Sequence, residues 1–297
     1  MPSVAAWLLA RPQNAVFALA FALLMPGMAM LSGAILLLVA LQQDLRRAGL
    51  AAVLAGSVLL VVSVALGSAP LQVLLQIASL WLPVFGLAAV MRKTRSLTLT
   101  LQLSVLFVLI GICSFFVFAN DPAGFWSEVI AADPLLQGLE DPLLEWKTII
   151  GATEVQFAGV MTTMYAIGFW FGLVVVVLLG YWLFLQLPGN SPDYGRFSDL
   201  NFGRVIALLL AVTSVAGFAI DAIWIQSIAF VLFAVFWLQG AAMVHWLRSK
   251  GMVPVIAVSA VYVLTILVPQ YVFPALAVLG YTDAWFQYRN RVTNNSK

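Results

Sequence analysis

Residues 97–119, LTLTLQLSVLFVLIGICSFFVFA, carry no charged side chain, follow the basic trio Arg92, Lys93 and Arg95, and stop just short of Asp121. An α-helix rises about 1.5 Å per residue, so a run of this length crosses a hydrocarbon core of about 30 Å. The stretch lacks the period-2 alternation of a barrel strand, and in lipid a lone segment satisfies its backbone groups only as a helix. Working outward, five more runs meet the same standard: 48–67, 70–91, 158–186, 204–220 and the stretch 223–246. The fold class is therefore all-α, a polytopic transmembrane helical bundle read as a single membrane domain over 1–297.

Composition agrees. The chain is 63% hydrophobic and 9% charged, against roughly 25% charged in an ordinary soluble domain. Fourteen Lys and Arg with twelve Asp and Glu cannot clothe a water-facing surface, so the outer surface faces the lipid bilayer. A net charge of +2, with basic residues scattered in twos and threes, excludes a nucleic-acid partner. The N-terminus has no cleavage pattern followed by a polar mature domain and is read as retained. Cys113, the one cysteine, can form no intramolecular disulfide.

Two further runs, 14–42 and 252–282, are too long for one ordinary crossing. The first is broken by Pro26 and Gly27, the second by Pro269 and Pro274, so each is one kinked helix or a pair of half-helices. Membrane segments then number about eight, up to ten. Lys and Arg favour cytoplasmic loops, and Arg46/Arg47, Arg92/Lys93/Arg95, Arg196/Arg204 and Arg248/Lys250 all fall on one side when the turn at 67–70, the segment 120–157 and Asp221 lie outside. Arg289 and Arg291 join them only if the last run is a hairpin, and Arg11 only if the first is.

The external insertion 120–157 is acidic, with Asp121, Glu128, Asp133, Glu140, Asp141, Glu145 and Glu154 against Lys147 alone. Trp126, Val129 and Ile130, then Leu143, Leu144, Trp146 and Ile149, recur at spacings of three and four, as in amphipathic helices lying along the interface. Asp-Pro pairs at 121, 133 and 141 suit helix starts. The insertion is either a surface connector or a lid.

No P-loop, HExxH or G-x-S-x-G pattern is present, and His245 is the single histidine; no catalytic residue, cofactor or metal site is assigned, and an enzyme is the lesser expectation. Four residues are candidate ligand contacts. Asp221, between two apolar runs, is a helix N-cap or a contact at a cavity mouth. Glu154 is the last charge of the acidic loop or enters a pocket with Thr162, Thr163 and Tyr165. Gln239 needs an interhelical partner inside the membrane, and Asp283 lies in the Pro-broken terminal run. His245 reads as an anchor or hydrogen-bond partner. Trp7, Trp126, Trp146, Tyr181, Trp182, Trp246 and Tyr281 fit aromatic belts.

Three segments resemble the YybS-like bacterial membrane family, whose function is unknown and whose likeness spans essentially the whole chain: residues 25–56, MPGMAMLSGAILLLVALQQDLRRAGLAAVLAG; Gln239-Gly240-x-x-x-x-His245-x-x-Arg248-x-x-Gly251; and Gly280-x-x-Asp283-x-Trp285-x-x-x-Arg289-x-Arg291. The N-terminal part of that family is similar to the S components of energy-coupling-factor transporters, which hold a vitamin or metal and borrow ATPases from separate subunits. That likeness implies a non-ATPase component with coupling and ATPase subunits as partners, and Ala18 and Ala22 match the A-x-x-x-A docking motif of those S components. This chain is longer, adding the acidic insertion and the helices after residue 200.

The expectation is a multi-pass protein of the bacterial cytoplasmic membrane that binds and moves a small solute. The alternatives are a scaffold or assembly protein and an intramembrane enzyme acting on lipid.

Overall fold

The computed structural model describes residues 3–25, 27–132, 154–220 and 222–289. Among them run twelve α-helices and a 3-10 turn at Phe197–Asp199, with no strand. The helices are α1 (Val4–Ala10), α2 (Pro12–Leu24), α3 (Ala29–Gln42), α4 (Leu45–Ala65), α5 (Pro70–Thr94), α6 (Leu97–Phe118), α7 (Pro122–Ala131), α8 (Glu154–Leu185), α9 (Gly203–Ile220), α10 (Ile223–Ser249), α11 (Val255–Leu267) and α12 (Pro269–Phe286).

Six of them, α4, α5, α6, α8, α9 and α10, are long and apolar enough to cross a membrane; a seventh span arises if α1 and α2, bent by 117°, count as one. These six are the six runs legible in the sequence, and their ends overshoot where helices continue into interfacial polar residues, as at Arg92 and Lys93 in the last turn of α5. The side-chain distribution is that of a membrane bundle. Phe218 is 94% and Val205 81% exposed, while Ser32, Thr100, Ser104, Thr162, Ser227, Gln239 and Asp283 are buried. A surface left this apolar is not stable in water, so the chain is a membrane-embedded protein.

The chain divides into two compact units, 1–104 with 170–197 and 105–169 with 198–297. The first is built around α3. Every residue of α3 from Ser32 to Leu41 is buried, so beyond its exposed first turn, with Met30 and Leu31, this helix has no lipid-facing side, as expected of one apolar on all faces. Its 14 residues span only about 21 Å, less than a bilayer core. The preceding α2 is equally short at 13 residues, and the two are joined by a turn in which Gly27 adopts φ +78°, a conformation open to glycine without strain. Ser32 Oγ donates to the Leu19 carbonyl at 2.9 Å across this turn, so the N-terminal Pro-broken run is a hairpin of two short helices. Arg11 before α2 and Arg47 after α3 line one cleft, which puts Arg11 at the same end as the basic pair Arg46/Arg47.

Polar groups inside this unit find partners. Trp81 Nε1 donates to Ser32 Oγ at 3.1 Å, and Trp170 Nε1 to Ser104 Oγ at 3.1 Å. Arg92 donates to the Ala40 and Leu41 carbonyls, satisfying the open carbonyl end of α3 and countering its dipole. Removal of the Ser32 hydroxyl leaves the Trp81 indole N–H buried without its acceptor, at a cost of about 1–3 kcal/mol. Ser32→Ala is therefore expected to lower unfolding stability in detergent by that amount, and Ser32→Ala added to Trp81→Phe to cost much less than the sum; full additivity would contradict the bond.

In the second unit, Asp121 caps α7 as its Asp-Pro pair suggests, accepting from the Ala123 and Gly124 N–H groups at 3.1 and 3.0 Å. Trp126 on α7 donates to Thr162 Oγ1 at 2.9 Å and packs its ring against Phe115 and Tyr165. This first part of the acidic insertion is thus anchored to α6 and α8; residues 133–153, with the remaining Asp-Pro pairs, lie outside the described residues. The C-terminal Pro-broken run is again two helices: α11 stops at Val268, and Pro269, having no N–H to continue the ladder, opens α12. Beyond α12, Arg289 Nη1 donates to the Ser198 carbonyl at 2.6 Å, which sets Arg289 at the same end as Arg204. Arg291 lies outside the described residues.

Some aromatic residues do not behave as a lipid belt. Trp7 and Trp182 are exposed, but Tyr181 and Trp246 are buried, and the Tyr181 hydroxyl donates to the Gly195 carbonyl at 3.0 Å.

Candidate functional site

Gln239 lies just past the middle of α10 and is wholly buried. A primary amide in an apolar interior costs several kcal/mol unless its donors and acceptor are matched, and here all three find partners. Its Oε1 accepts from the Phe202 N–H at 2.8 Å, and its Nε2 donates to the Gly280 carbonyl at 2.9 Å and to Asp283 Oδ2 at 3.2 Å. The amide thereby joins α10 to α12 and to the segment that leads into α9.

Two glycines make the bonds reachable. A Cβ on Gly240 would land on the Leu276 carbonyl oxygen and 2.7 Å from its carbon, and one on Gly280 would fall on the Phe236 carbonyl oxygen and 2.6 Å from the Gly240 nitrogen. The backbones of α10 and α12 therefore touch at this point, as small residues allow in membrane helices. Phe236, Ala207 and Ala284 pack directly against the junction, with Tyr281 and Trp285 beside them.

Asp283 has no exposed surface, and its Oδ2 stands 3.2 Å from Arg289 Nε, the Arg289 side chain being 11% exposed. A buried carboxylate is costly without a counter-charge, and the guanidinium beside it offsets that cost. Burial pulls the Arg289 pKa down from its ordinary value, while the charges of Asp283 and Asp199 push it back up. Arg289 also holds the Ser198 carbonyl, and Arg204 Nη2 approaches the Trp285 carbonyl at 3.5 Å. Asp283 Oδ1, buried, has no hydrogen-bond donor among the described residues. The cluster thus contains one charge-balanced pair, one amide whose two donors and acceptor oxygen are all partnered, and one carboxylate oxygen with spare acceptor capacity.

Neither a protein-family model, nor a curated protein, nor a solved structure matches the chain. Two of the segments singled out in the sequence meet in space. Gln239 and Gly240 come from one, Gly280, Asp283 and Arg289 from the other, and all five belong to this cluster.

Of the four candidate ligand contacts, the structure brings together Gln239 and Asp283. Asp221 and the side chain of Glu154 lie outside the described residues. Thr162 and Thr163, offered as neighbours of Glu154, are engaged elsewhere: Thr162 accepts from Trp126, and Thr163 Oγ1 donates to Ser227 Oγ at 2.9 Å. His245 Nε2 shares a hydrogen bond with Tyr262 Oη at 2.6 Å. Ala22 is buried inside the first unit and Ala18 half-buried, while Phe17 and Phe21 form the exposed face of α2. Among the described residues no group of three or more His, Cys, Asp or Glu could hold a metal.

Arg289 was not among the candidates. The signal for it was present, since an aspartate in an apolar helix demands a cation, but sequence spacing alone does not say which of the 14 basic residues supplies it.

Proposed function

We propose that the chain is the small-solute-binding membrane component of a transport system of the bacterial cytoplasmic membrane, without an ATPase of its own, and that the Gln239–Asp283–Arg289 cluster is its polar gate. The observation that carries this reading is a fully buried carboxylate with an oxygen still lacking a donor, on a helix that begins at a proline break. Interrupted helices and buried ionisable residues are where membrane transporters place solute and ion contacts. On this reading ten segments enter the membrane, six long and four short, with α2–α3 and α11–α12 as hairpins entering from the basic, cytoplasmic side. The likeness to S components adds coupling and ATPase subunits as partners; Ala22, buried within the first unit, is not available as their docking contact.

One observation favours a scaffold instead. Gln239 uses both amide protons and its carbonyl oxygen in bonds inside the chain, and the Gly240–Gly280 contact leaves no room for a ligand between α10 and α12 in this conformation. Purification in mild detergent followed by mass spectrometry of bound small molecules and proteins separates the two. A retained solute lost in Asp283→Asn, or copurifying ATPase subunits, supports transport; a clean chain that brings down non-ATPase membrane proteins replaces it with the scaffold.

A further inference from the structure

The first unit holds a cleft of about 550 Å³ unrelated to the Gln239 cluster. It opens where α1 turns through 117° into α2, and its apolar wall is formed by Leu8, Leu9, Val16, Leu50 and Leu54. At one end stand three donors, Arg11, Gln43 and Arg47. The carbonyl end of α3 lies close by and would repel an anion, but Arg92 covers its Ala40 and Leu41 carbonyls. The opening turn of α2 has no side-chain cap, and the positive end of its dipole adds to the potential at the same end of the cleft.

The arginines are available. Arg11 is exposed and has no ion pair among the described residues. Arg47 meets Asp44 only at 3.8 Å, both side chains being largely in solvent, and Asp44 Oδ1 is already held by the Arg47 backbone N–H at 2.6 Å. An exposed pair of this kind is weak. A cleft in a membrane protein that is hydrocarbon-lined along its length and doubly cationic at one end matches one chemistry, an anion carried on an acyl chain. Trp7, exposed on α1 one turn before Arg11, is the type of side chain that sits at head-group depth.

We infer that this cleft binds an anionic phospholipid, its phosphate held by Arg11, Arg47 and Gln43 and an acyl chain lying along Leu8, Leu9, Leu50 and Leu54. Such a lipid fixes the angle between α1 and α2 and so the seating of the α2–α3 hairpin. The site is independent of the proposed gate.

The test uses the whole chain in nanodiscs of equal parts phosphatidylglycerol and phosphatidylcholine, with bound lipid counted by native mass spectrometry after extraction. Wild-type protein is expected to retain phosphatidylglycerol selectively, and Arg11→Gln with Arg47→Gln to reduce that retention about tenfold, each basic residue at a lipid surface contributing several-fold in affinity. Arg46→Gln with Arg196→Gln removes the same charge outside the cleft and is expected to keep the lipid. Equal retention of phosphatidylcholine, unchanged phosphatidylglycerol in the Arg11/Arg47 variant, or equal loss in both double variants would overturn the inference. A second arm adds inorganic phosphate to delipidated protein: thermal protection matching that by phosphatidylglycerol would show a free-phosphate site and defeat the lipid assignment.

Discussion

Asp283→Ala is expected to destabilise the protein by about 3–5 kcal/mol, because it leaves the Arg289 guanidinium buried without its counter-ion. Arg289→Ala is expected to cost a similar amount by stranding Asp283, which has no exposed surface. The double replacement is expected to cost far less than the sum, since a site with neither charge has no ion to solvate. Unfolding free energies in mixed micelles of SDS and a mild detergent, for the wild type, both singles and the double, measure the coupling. Additive losses would mean that the two groups do not share one buried site.

The second large effect concerns the helix contact beside that pair. Gly240→Ala and Gly280→Ala each place a methyl group on the backbone of the facing helix, and neither a carbonyl oxygen nor an amide nitrogen of a packed helix can swing aside. The helices must separate, stretching the Gln239 bonds to Gly280 and Asp283, at about 3 kcal/mol or more. Gly86 and Gly168, in α5 and α8, have nothing within 4 Å of an added Cβ; alanine there is expected to be neutral or to stabilise by up to about 1 kcal/mol through helix propensity. Yield of folded protein and unfolding midpoint in detergent read both classes, and a tolerated Gly240→Ala would deny the close approach.

Asp283 and Gln239 show how far the sequence reaches into the site. Each is conspicuous in an apolar helix, because burying a polar group is costly wherever the helix is placed. That they lie in contact, 44 positions apart in the chain, depends on how α10 and α12 pack, and the presence of Gly240 and Gly280 in the sequence does not say that the two meet. Thr162 and Thr163 illustrate the converse. The sequence offers them as pocket residues beside Glu154 only as one of two readings, and their hydroxyls serve Trp126 and Ser227. Arg92 is similar: one of a basic loop trio by sequence, it is the cap of a buried helix.

The sequence by itself determined that the chain is a helical membrane protein, where its six long spans run, and that both terminal apolar stretches are kinked or broken; of the two prolines in the last one, Pro269 opens a new helix and Pro274 is carried inside it. These are local properties: the length of an apolar run sets whether it can cross, and proline removes a backbone donor wherever it stands. Only the tertiary structure decided that the first broken stretch folds back as a hairpin around Gly27, that Arg11 and Arg289 end beside other basic segments, and that α3 beyond its first turn is enclosed on every side. In a chain that is apolar nearly throughout, hydropathy does not distinguish a helix facing lipid from one facing protein. That distinction falls to small residues at contacts and to a few polar partners, whose choice is settled only when the helices meet.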